Sequence, residues 1–162
     1  PLAGLQFNSG GASTFAINVS FNTFYNCAYS GNYSVISHDN AYTTGAINIT
    51  HNISAFPAAH SNATGNYFGG SGSSTAITLD QNLYYDAKGV ITSIPSQAST
   101  TGIYGNPLFT AVATNDLTLA TGSPALNAVT TTPAYAATVD VYGIARPQST
   151  NKDIGACEGV GT

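Results

Sequence analysis

Charged side chains are scarce in this sequence. Only three Lys or Arg and seven Asp or Glu occur in 162 residues, so charged side chains make up 6% of the chain, against about 25% in an average soluble protein. The net charge is −4, and the few basic residues form no cluster. Nucleic-acid affinity depends on basic groups that neutralise phosphates, and helices that lie on membranes carry a basic face. The composition therefore predicts neither nucleic acid nor a membrane surface as a partner.

Long apolar runs and closely spaced cysteines are absent too. No stretch approaches the roughly 18 apolar residues of a membrane span, which predicts no membrane insertion. The chain starts at Pro1 without a basic leader or an apolar signal core, as expected of a mature product secreted to the extracellular space or cell surface. Cys27 and Cys157 lie far apart, so neither a metal site nor a redox pair is expected, and no cofactor is predicted. They form either a disulfide or two inert thiols.

A seven-residue pattern occurs three times at a spacing of 30 residues. It reads AINVSFN at 16–22, AINITHN at 46–52 and AITLDQN at 76–82. In each copy apolar and polar residues alternate, which indicates a strand with one buried face, and an Asn follows at the bend. Because one such unit cannot bury its apolar face alone, a repeat of this length indicates stacking. The sequence predicts an all-β fold with little helix, a right-handed parallel β-helix of about three to five coils over residues 1–105.

Stacking in register would place equivalent side chains above one another. The two expected inward columns are Ile17, Ile47, Ile77 and Val19, Ile49, Leu79. A ladder of Asn22, Asn52 and Asn82 is predicted at the corner, because Asn tolerates a left-handed backbone and its amide can bond to the next rung. Residues 33–37, 65–68 and 90–94 are expected to form the other faces of the coils.

Five short motifs follow one another in the last third of the chain. They are NPLF at 106–109, NDLTL at 115–119, GSPALNA at 122–128, DVYGIARP at 140–147 and DIGACE at 153–158. This series resembles the ending of bacterial right-handed parallel β-helix proteins related to pectate lyases, often labelled choice-of-anchor Q proteins. The resemblance implies an irregular closing segment over 106–162 packed on the helix. It does not indicate a reaction, because such endings occur on lyases, hydrolases, adhesins and surface proteins of unknown function.

The closing segment departs from that family at three positions and holds a cluster of charges. Asn106 and Asn127 stand where the family has Asp, which weakens a calcium site, and Cys157 replaces an aromatic residue. The charged residues of the closing motifs are Asp140, Arg146, Asp153 and Glu158. We expect them to form an ion-pair clamp that ties the tail to the last coil, because an Arg fork satisfies paired carboxylates in a partly buried corner.

Catalytic chemistry has little support in the repeat. Enzymes of the resembled fold need several charges on adjacent coils of one face. Asp80 points outward above Thr50 and Ser20, which cannot serve as a second acid. His51 would neighbour Asp80 diagonally, and the pair could act as a general base. The alternative is that His51 is a polar residue beside a turn, solvated or hydrogen-bonded to the stack, so Asp80 and His51 are only weak catalytic candidates and no metal site is predicted.

Two further features allow both a chemical and a structural interpretation. The pattern N-x-S/T occurs at Asn18, Asn32, Asn48, Asn52 and Asn62. These triplets are possible glycosylation sites, or chance products of an Asn- and Thr-rich chain. Tyr25, Tyr84 and Tyr85 have aromatic faces that suit sugar rings, or they pack at the edge of the core.

The sequence favours a non-catalytic structural module of the cell exterior. Its expected partners are copies of itself, packed head-to-tail or laterally into a fibre or filament, or a cell-surface glycan. The alternative is the C-terminal part of a polysaccharide lyase or hydrolase, or of a glycan-binding adhesin, whose active coils precede Pro1.

Overall fold

A computed structural model of the chain describes residues 5–7, 16–27, 35–38, 46–58, 68–70, 77–89 and 101–159. Almost all of its regular structure is β. In chain order the strands are β1 (Leu5–Phe7), β2 (Ile17–Ser20), β3 (Thr23–Tyr25), β4 (Ile36–His38), β5 (Ile47–Thr50), β6 (Ile53–Phe56), β7 (Phe68–Gly70), β8 (Ile77–Asp80), β9 (Leu83–Asp86), β10 (Ile103–Tyr104), β11 (Phe109–Ala111) and β12 (Asp116–Leu119). One 3-10 turn, Val112–Thr114, is the only helical element of the described ranges. The all-β prediction is confirmed.

The strands form three parallel sheets and one antiparallel pair. The parallel sheets have the strand orders β1-β4-β7, β2-β5-β8 and β3-β6-β9-β10, and β11 pairs antiparallel with β12. We call β2 with β3 the first repeat, β5 with β6 the second and β8 with β9 the third. Each repeat therefore adds one strand to each of two neighbouring sheets. A short bend separates its two strands, at residues 21–22, 51–52 or 81–82.

The pairing register follows the 30-residue spacing. Ile17 lies opposite Ile47, which lies opposite Ile77. The β3-β6-β9 sheet keeps the same spacing, whereas β4 and β7 pair at a spacing of 32 residues, with Ile36 opposite Phe68. Insertions in the chain are thus absorbed between the repeats. The strand expected at 90–94 lies outside the described residues.

An apolar core lies on one side of the repeat strands. Its buried members are Val19, Val35, Ile36, Ile47, Ile49, Phe56, Leu79 and Tyr84. Both predicted inward columns contribute to it, since Ile17 and Ile77 pack at its border. The alternation of apolar and polar residues in β2, β5 and β8 thus produces one continuous buried surface.

A second apolar core covers the opposite face of the β3-β6-β9 sheet. Its buried members are Phe21, Ile53, Ala55, Leu83, Ala125, Val129 and Ile154. Ile53 and Ala55 belong to this core, whereas Phe56 of the same strand belongs to the first, so β6 is apolar on both faces. A strand buried on both sides is expected to lack alternation. The side chains that cover this face of the sheet, Ala125, Val129 and Ile154, come from the closing segment.

The closing segment runs back along the repeats in reverse order. The Thr130 amide donates to Gln81 Oε1 in the bend of the third repeat, at 2.6 Å. The Gly155 amide donates to the His51 carbonyl of the second, at 2.9 Å. The Ala156 amide donates to Thr23 Oγ1 of the first, at 3.0 Å. The closing segment is therefore a cover along one side of the stack.

Candidate functional site

The three corner asparagines are joined into a hydrogen-bonded ladder. Asn52 Oδ1 accepts from the Asn22 amide at 2.9 Å and from Asn22 Nδ2 at 3.1 Å. Asn82 Oδ1 accepts from the same two groups of Asn52, at 2.9 and 3.1 Å. Asn52 Nδ2 also donates to the carbonyls of Val19 and Thr50, at 2.8 and 3.0 Å. Each internal rung thus satisfies main-chain groups of two repeats that burial would otherwise leave unpaired.

The left-handed residue at each corner precedes the asparagine. Positive φ angles occur at Phe21 (56°), His51 (60°) and Gln81 (45°), and not at the ladder asparagines. The expectation that Asn adopts this conformation is therefore wrong. The Asn side chains bond to main-chain groups of adjacent repeats, and the preceding residue takes the sharp bend. Burial of its side chain beneath the closing segment offsets the cost of a left-handed backbone, about 1–2 kcal/mol for a residue with a Cβ.

His51 is packed into the interior. Its side chain is 1% exposed and stacks on the Phe21 ring, with centroids 5.0 Å apart and planes 11° apart. Neither imidazole nitrogen has a hydrogen-bond partner in the described part of the chain. Burial lowers the pKa of His51, with help from Lys152 and against the opposing effects of Asp80 and the Thr131 main chain. The expectation of a solvated or hydrogen-bonded side chain is therefore wrong, and His51 packs in the interior, where burial favours its uncharged form.

Asp80 holds two loops of the chain together. One carboxylate oxygen accepts from the Thr101 hydroxyl, and the other accepts from the Thr131 hydroxyl at 3.2 Å. The Gln81 amide donates to Thr101 Oγ1 at 3.1 Å. Asp80 affects His51 through its charge but makes no hydrogen bond to it. The two weak catalytic candidates are thus neighbours without the contact that a general-base pair requires.

Arg146 is the centre of the predicted clamp. Its Nη1 lies 3.3 Å from Glu158 Oε2, and both side chains are buried. The same nitrogen donates to the Asp153 carbonyl at 3.0 Å, and Nη2 donates to the Gly155 carbonyl at 2.8 Å. Arg146 therefore makes one ion pair and holds two carbonyls of the final motif.

Asp140 organises the turn before Arg146. Its Oδ1 accepts from the amides of Tyr142 and Ile144, both at 2.8 Å, and its Oδ2 accepts from the Glu158 amide at 3.0 Å. Burial acts to raise the pKa of Asp140, but these three N–H groups and Arg146 outweigh it and hold the pKa below its ordinary value. The carboxylate is thus stabilised in its charged form, mainly by main-chain donors.

The two other acids of the clamp are bound by main-chain groups as well. Asp153 accepts from the amides of Asn127 and Gly159, both at 2.6 Å. Glu158 accepts from the amides of Gln148 and Asp153, at 3.0 and 3.1 Å. Burial raises the pKa of both carboxyls, although these donors and Arg146 oppose it.

The clamp lies against the first repeat. The guanidinium of Arg146 is 5.0 Å from the centre of the Phe21 ring, and the Lys152 ammonium is 5.8 Å from it. The prediction that the clamp ties the tail to the last coil is therefore wrong. The apolar outer face of the β3-β6-β9 sheet guides the closing segment back to the beginning of the stack.

The two cysteines are unbonded in the structure. Cys27 is half-buried and Cys157 is buried, and burial raises the pKa of both thiols. Of the two open alternatives, the structure contains the separate thiols. Their raised pKa favours the unreactive protonated form at neutral pH.

The N-x-S/T triplets differ in accessibility. Asn18 is exposed, and its Oδ1 accepts from Asn48 Nδ2 at 2.8 Å, so these two side chains form a short outer ladder. Asn52 is 1% exposed and its amide donates two hydrogen bonds. Its predicted roles as ladder rung and glycosylation site therefore exclude one another in the folded chain. Asn32 and Asn62 lie outside the described residues.

A half-open pocket lies between the β3-β6-β9 sheet and the start of the closing segment. Tyr25, Ala55 and Tyr85 lie in register on three adjacent strands and line its sheet side. Phe109 packs edge-on against Tyr25, with ring centroids 5.7 Å apart, and belongs to the opposite wall. The pocket volume is about 330 Å³. The 60-residue spacing of the two tyrosines was a signal of this arrangement in the sequence.

The described residues contain no group of three or more His, Cys, Asp or Glu arranged to hold a metal ion. No helix in these ranges has the length and apolar character to cross a bilayer. No protein-family model, curated protein or solved structure matches the chain. The resemblance to choice-of-anchor Q endings thus has no support from a family match.

Proposed function

We propose that the chain is a right-handed parallel β-helix module of the cell exterior, with a non-catalytic structural role, that stacks with copies of itself. Three parallel sheets that gain strands from successive 30-residue segments support the β-helix interpretation. A solenoid of this kind has two ends at which strands lack neighbours. The first repeat presents an open side-chain acceptor and open strand edges, which can form hydrogen bonds with another coil of the same kind.

The open end of the asparagine ladder carries this proposal. Asn52 Oδ1 and Asn82 Oδ1 each accept two hydrogen bonds from the preceding rung. Asn22 Oδ1 has no donor among the described residues, although it occupies the equivalent position. An asparagine from an upstream coil would donate its amide and Nδ2 to it with the geometry already present twice, whereas the equivalent corner residue at the far end of a second copy is Gly102, which offers its main-chain amide alone. The ladder is thus a pattern that a further rung extends.

The strand edges of the first repeat support the same conclusion. Within the described ranges, β2 pairs only with β5 and β3 only with β6. Open strand edges of this type are templates for another chain. A head-to-tail contact between such an edge and the opposite end of a second copy does not close on itself, so it propagates into a filament. The low charge of the chain, −4 with 6% charged residues, limits repulsion between packed copies.

The same open edge supports one alternative. Upstream coils of a longer polysaccharide lyase or hydrolase, or of an adhesin, would complete β2 and β3 equally well. The chain would then be the terminal part of that protein, and its catalytic or binding residues would lie in those coils. Turnover of uronic-acid polymers to unsaturated products by the chain itself would contradict the non-catalytic role.

Electron microscopy of the purified chain over a range of concentrations tests the stacking proposal. We expect filaments whose repeat along the axis is one chain. Asn22→Ala removes the open acceptor and should raise the concentration needed for assembly. Ser149→Ala, which removes an exposed hydroxyl of the closing segment, is the control and should leave assembly unchanged. A uniformly monomeric particle at every concentration would overturn the proposal.

A further inference from the structure

We propose that strand β10 of one copy pairs with strand β3 of the next, so that the Tyr104 ring stacks on the Phe24 ring across the junction. The inference rests on the self-stacking proposed above and names the contact that holds two copies together. In the described part of the chain, the sheet β3-β6-β9-β10 has β3 at one edge and β10 at the other. Its strands are all parallel, so the β3 edge of another copy can extend the β10 edge without a change of direction.

The exposure of Tyr104 indicates a missing neighbour on the β10 edge. Among the described residues it is the one exposed large apolar side chain that lies in a strand, with 54% of its surface exposed. One side of its ring contacts Tyr84, with ring centroids 5.8 Å apart. Tyr84 is only 6% exposed, and its strand, β9, has a neighbour on each side. A strand added beyond β10 would bury Tyr104 in the same way.

The other edge of the sheet presents a matching ring. The in-register positions of its strands are Phe24, Ser54, Tyr84 and Tyr104. Phe24 packs at the border of the first core and is only partly buried. Neighbouring strands lie about 4.8 Å apart, within the range of about 4.5–7 Å at which aromatic rings pair. The junction therefore continues the ring contact that Tyr84 and Tyr104 already make.

Side-chain alternation restricts the register of this pairing. Ile103 packs against the second apolar core, whereas Tyr84, which contacts Tyr104, belongs to the first. On β3, Thr23 bonds to the closing segment and Phe24 packs at the first core. A slip of one residue would turn the side chains of the added strand to the wrong faces. Thr23 therefore lies opposite Ile103, and Phe24 lies opposite Tyr104.

The main-chain bonds at the corner give the same register. In this sheet the first amide of each later strand donates to the carbonyl of the corner residue before the neighbouring strand. These bonds join Ile53 to Asn22, Leu83 to Asn52 and Ile103 to Asn82, at 2.8, 2.8 and 2.9 Å. Gly102 directly precedes β10 and is therefore the last corner of the sheet. At the junction the Thr23 amide donates to the Gly102 carbonyl of the other copy, and that Gly102 amide donates to Asn22 Oδ1.

Because Gly102 has no side chain, the junction is one donor short of an internal rung. Asn52 Oδ1 accepts from both the amide and Nδ2 of Asn22, whereas Gly102 donates only its amide. Asn can replace Gly102, because the φ of Gly102 lies outside the left-handed region. The nearest atom to an added Cβ would be the Tyr104 hydroxyl, at 3.3 Å, which is the end of a flexible side chain. The junction therefore predicts that a single substitution strengthens assembly.

Sedimentation of filaments formed by Gly102→Asn tests this gain. We expect the concentration needed for assembly to fall about fivefold, the effect of one added hydrogen bond. Ser149→Asn, which adds an exposed amide in the closing segment, is the matched control and should change nothing. Asn22→Ala lacks the acceptor, so Gly102→Asn should give no gain when combined with it. An equal gain in that double variant would overturn the proposal, as would the absence of a gain from Gly102→Asn alone.

Cross-linking tests the register without altering the two rings. In the double variant Thr23→Cys/Ile103→Cys the new thiols lie three strand spacings apart within one chain, about 14 Å, too far for a disulfide, whose Cα atoms lie about 4.4–6.8 Å apart. Across the junction they lie one spacing apart. After oxidation with diamide we expect a ladder of dimers, trimers and longer products on a non-reducing gel. Ile103→Cys alone, which keeps the native thiols of Cys27 and Cys157, is the control and should give no ladder.

Substitution of Tyr104 separates this junction from stacking in general. Tyr104→Ala should raise the concentration needed for assembly about tenfold, whereas Tyr104→Phe keeps the ring and should stay near the native value. Circular dichroism checks that each variant is folded. Filaments that are unaffected by Tyr104→Ala and give no cross-linked ladder would overturn the junction and leave stacking intact. Chains that stay monomeric in every variant, Gly102→Asn included, would overturn stacking and the junction together.

Discussion

The guanidinium of Arg146 lies 5.0 Å above the centre of the Phe21 ring, which joins the final motif of the chain to the corner of its first repeat. The contact combines a cation–π interaction with a charge already held by Glu158. Between these two residues the chain passes through all three repeats and then returns along their side. Arg146 therefore contributes to the stability of the whole stack as well as to its own turn.

We expect Arg146→Gln to destabilise the chain by about 3–5 kcal/mol, because it leaves the Glu158 carboxylate buried without its cation. Chemical denaturation at neutral pH measures the free energy of unfolding. In a double-mutant cycle with Glu158→Gln, the double variant should be less destabilised than the sum of the two single variants. Additive effects would show that the two side chains are not coupled.

Replacement of Asn52, the central residue of the ladder, should lower the free energy of unfolding more than replacement of Asn22, the first. Asn52→Ala removes two donors and an acceptor from a buried site, and we expect a loss of about 2–4 kcal/mol. Asn22 is exposed, so Asn22→Ala should cost about 1 kcal/mol. Urea denaturation of both variants gives the comparison. Equal losses would contradict the structural ranking of the rungs.

Alanine substitutions at two glycines with positive φ, Gly143 and Gly155, distinguish the stability cost of backbone strain from that of close packing. At Gly155 (φ 98°) an added Cβ would lie 2.6 Å from Ile53 Cδ1 and 2.8 Å from Thr23 Oγ1. At Gly143 (φ 81°) an added Cβ would meet nothing within 4 Å. Gly143→Ala should therefore cost only the backbone strain, about 1 kcal/mol. Gly155→Ala should cost about 3 kcal/mol, because the closing segment must also move away from the sheet. Thermal denaturation monitored by circular dichroism measures the difference in stability between the two variants. Equal losses would show that Gly155 does not pack against Ile53 and Thr23.

His51 should make the chain sensitive to mild acid. Because burial lowers its pKa in the folded state, the unfolded state takes up the proton first as the pH falls below about 6.5. The stability that the neutral ring provides is complete above that pH and is lost progressively toward the lower folded-state pKa. Between pH 7 and 5 we expect the unfolding free energy to decrease in the native chain.

The matched variant for this pH dependence is His51→Gln, because Gln81 occupies the equivalent corner with a similar φ. It should flatten the slope between pH 7 and 5 without changing the fold. Urea denaturation at half-unit pH steps measures the slope. Burial raises the pKa of Asp153 and of Glu158, so these two carboxyls act in the opposite direction, and they are present in both proteins. An identical slope in both proteins would exclude His51 as the cause.

The repeat strands were predictable, whereas the position of the closing segment was not. Strict alternation in the three seven-residue copies identifies Ile49 as inward-facing, and the 30-residue spacing gives its neighbours. By contrast, Ile53 and Phe56 are buried on opposite faces of β6, so that strand has no alternation to indicate which face the tail covers. The burial of His51 follows from the same missing information, because its environment comes from residues about 80 to 100 positions later in the chain.

The left-handed corner shows a different limit of sequence reasoning. Asn is the usual residue for such a backbone, so the pattern favours Asn22 and its equivalents. Phe21 takes the bend because its ring is stabilised by His51 on one side and Arg146 on another. A local preference of about 1 kcal/mol is thus overridden by contacts that only the folded chain provides.

The return path of the closing segment changes how the repeats unfold. A plain stack of repeats can lose its terminal units one at a time, because each unit contacts only its neighbours. Here Thr130, Gly155 and Ala156 bond to the third, second and first repeats in turn. For the first or the third repeat to unfold alone, the closing segment must first detach, and the same segment also holds the other repeats. The chain should therefore denature in a single cooperative transition, and its earliest repeats should reach full stability only after the last residues have left the ribosome.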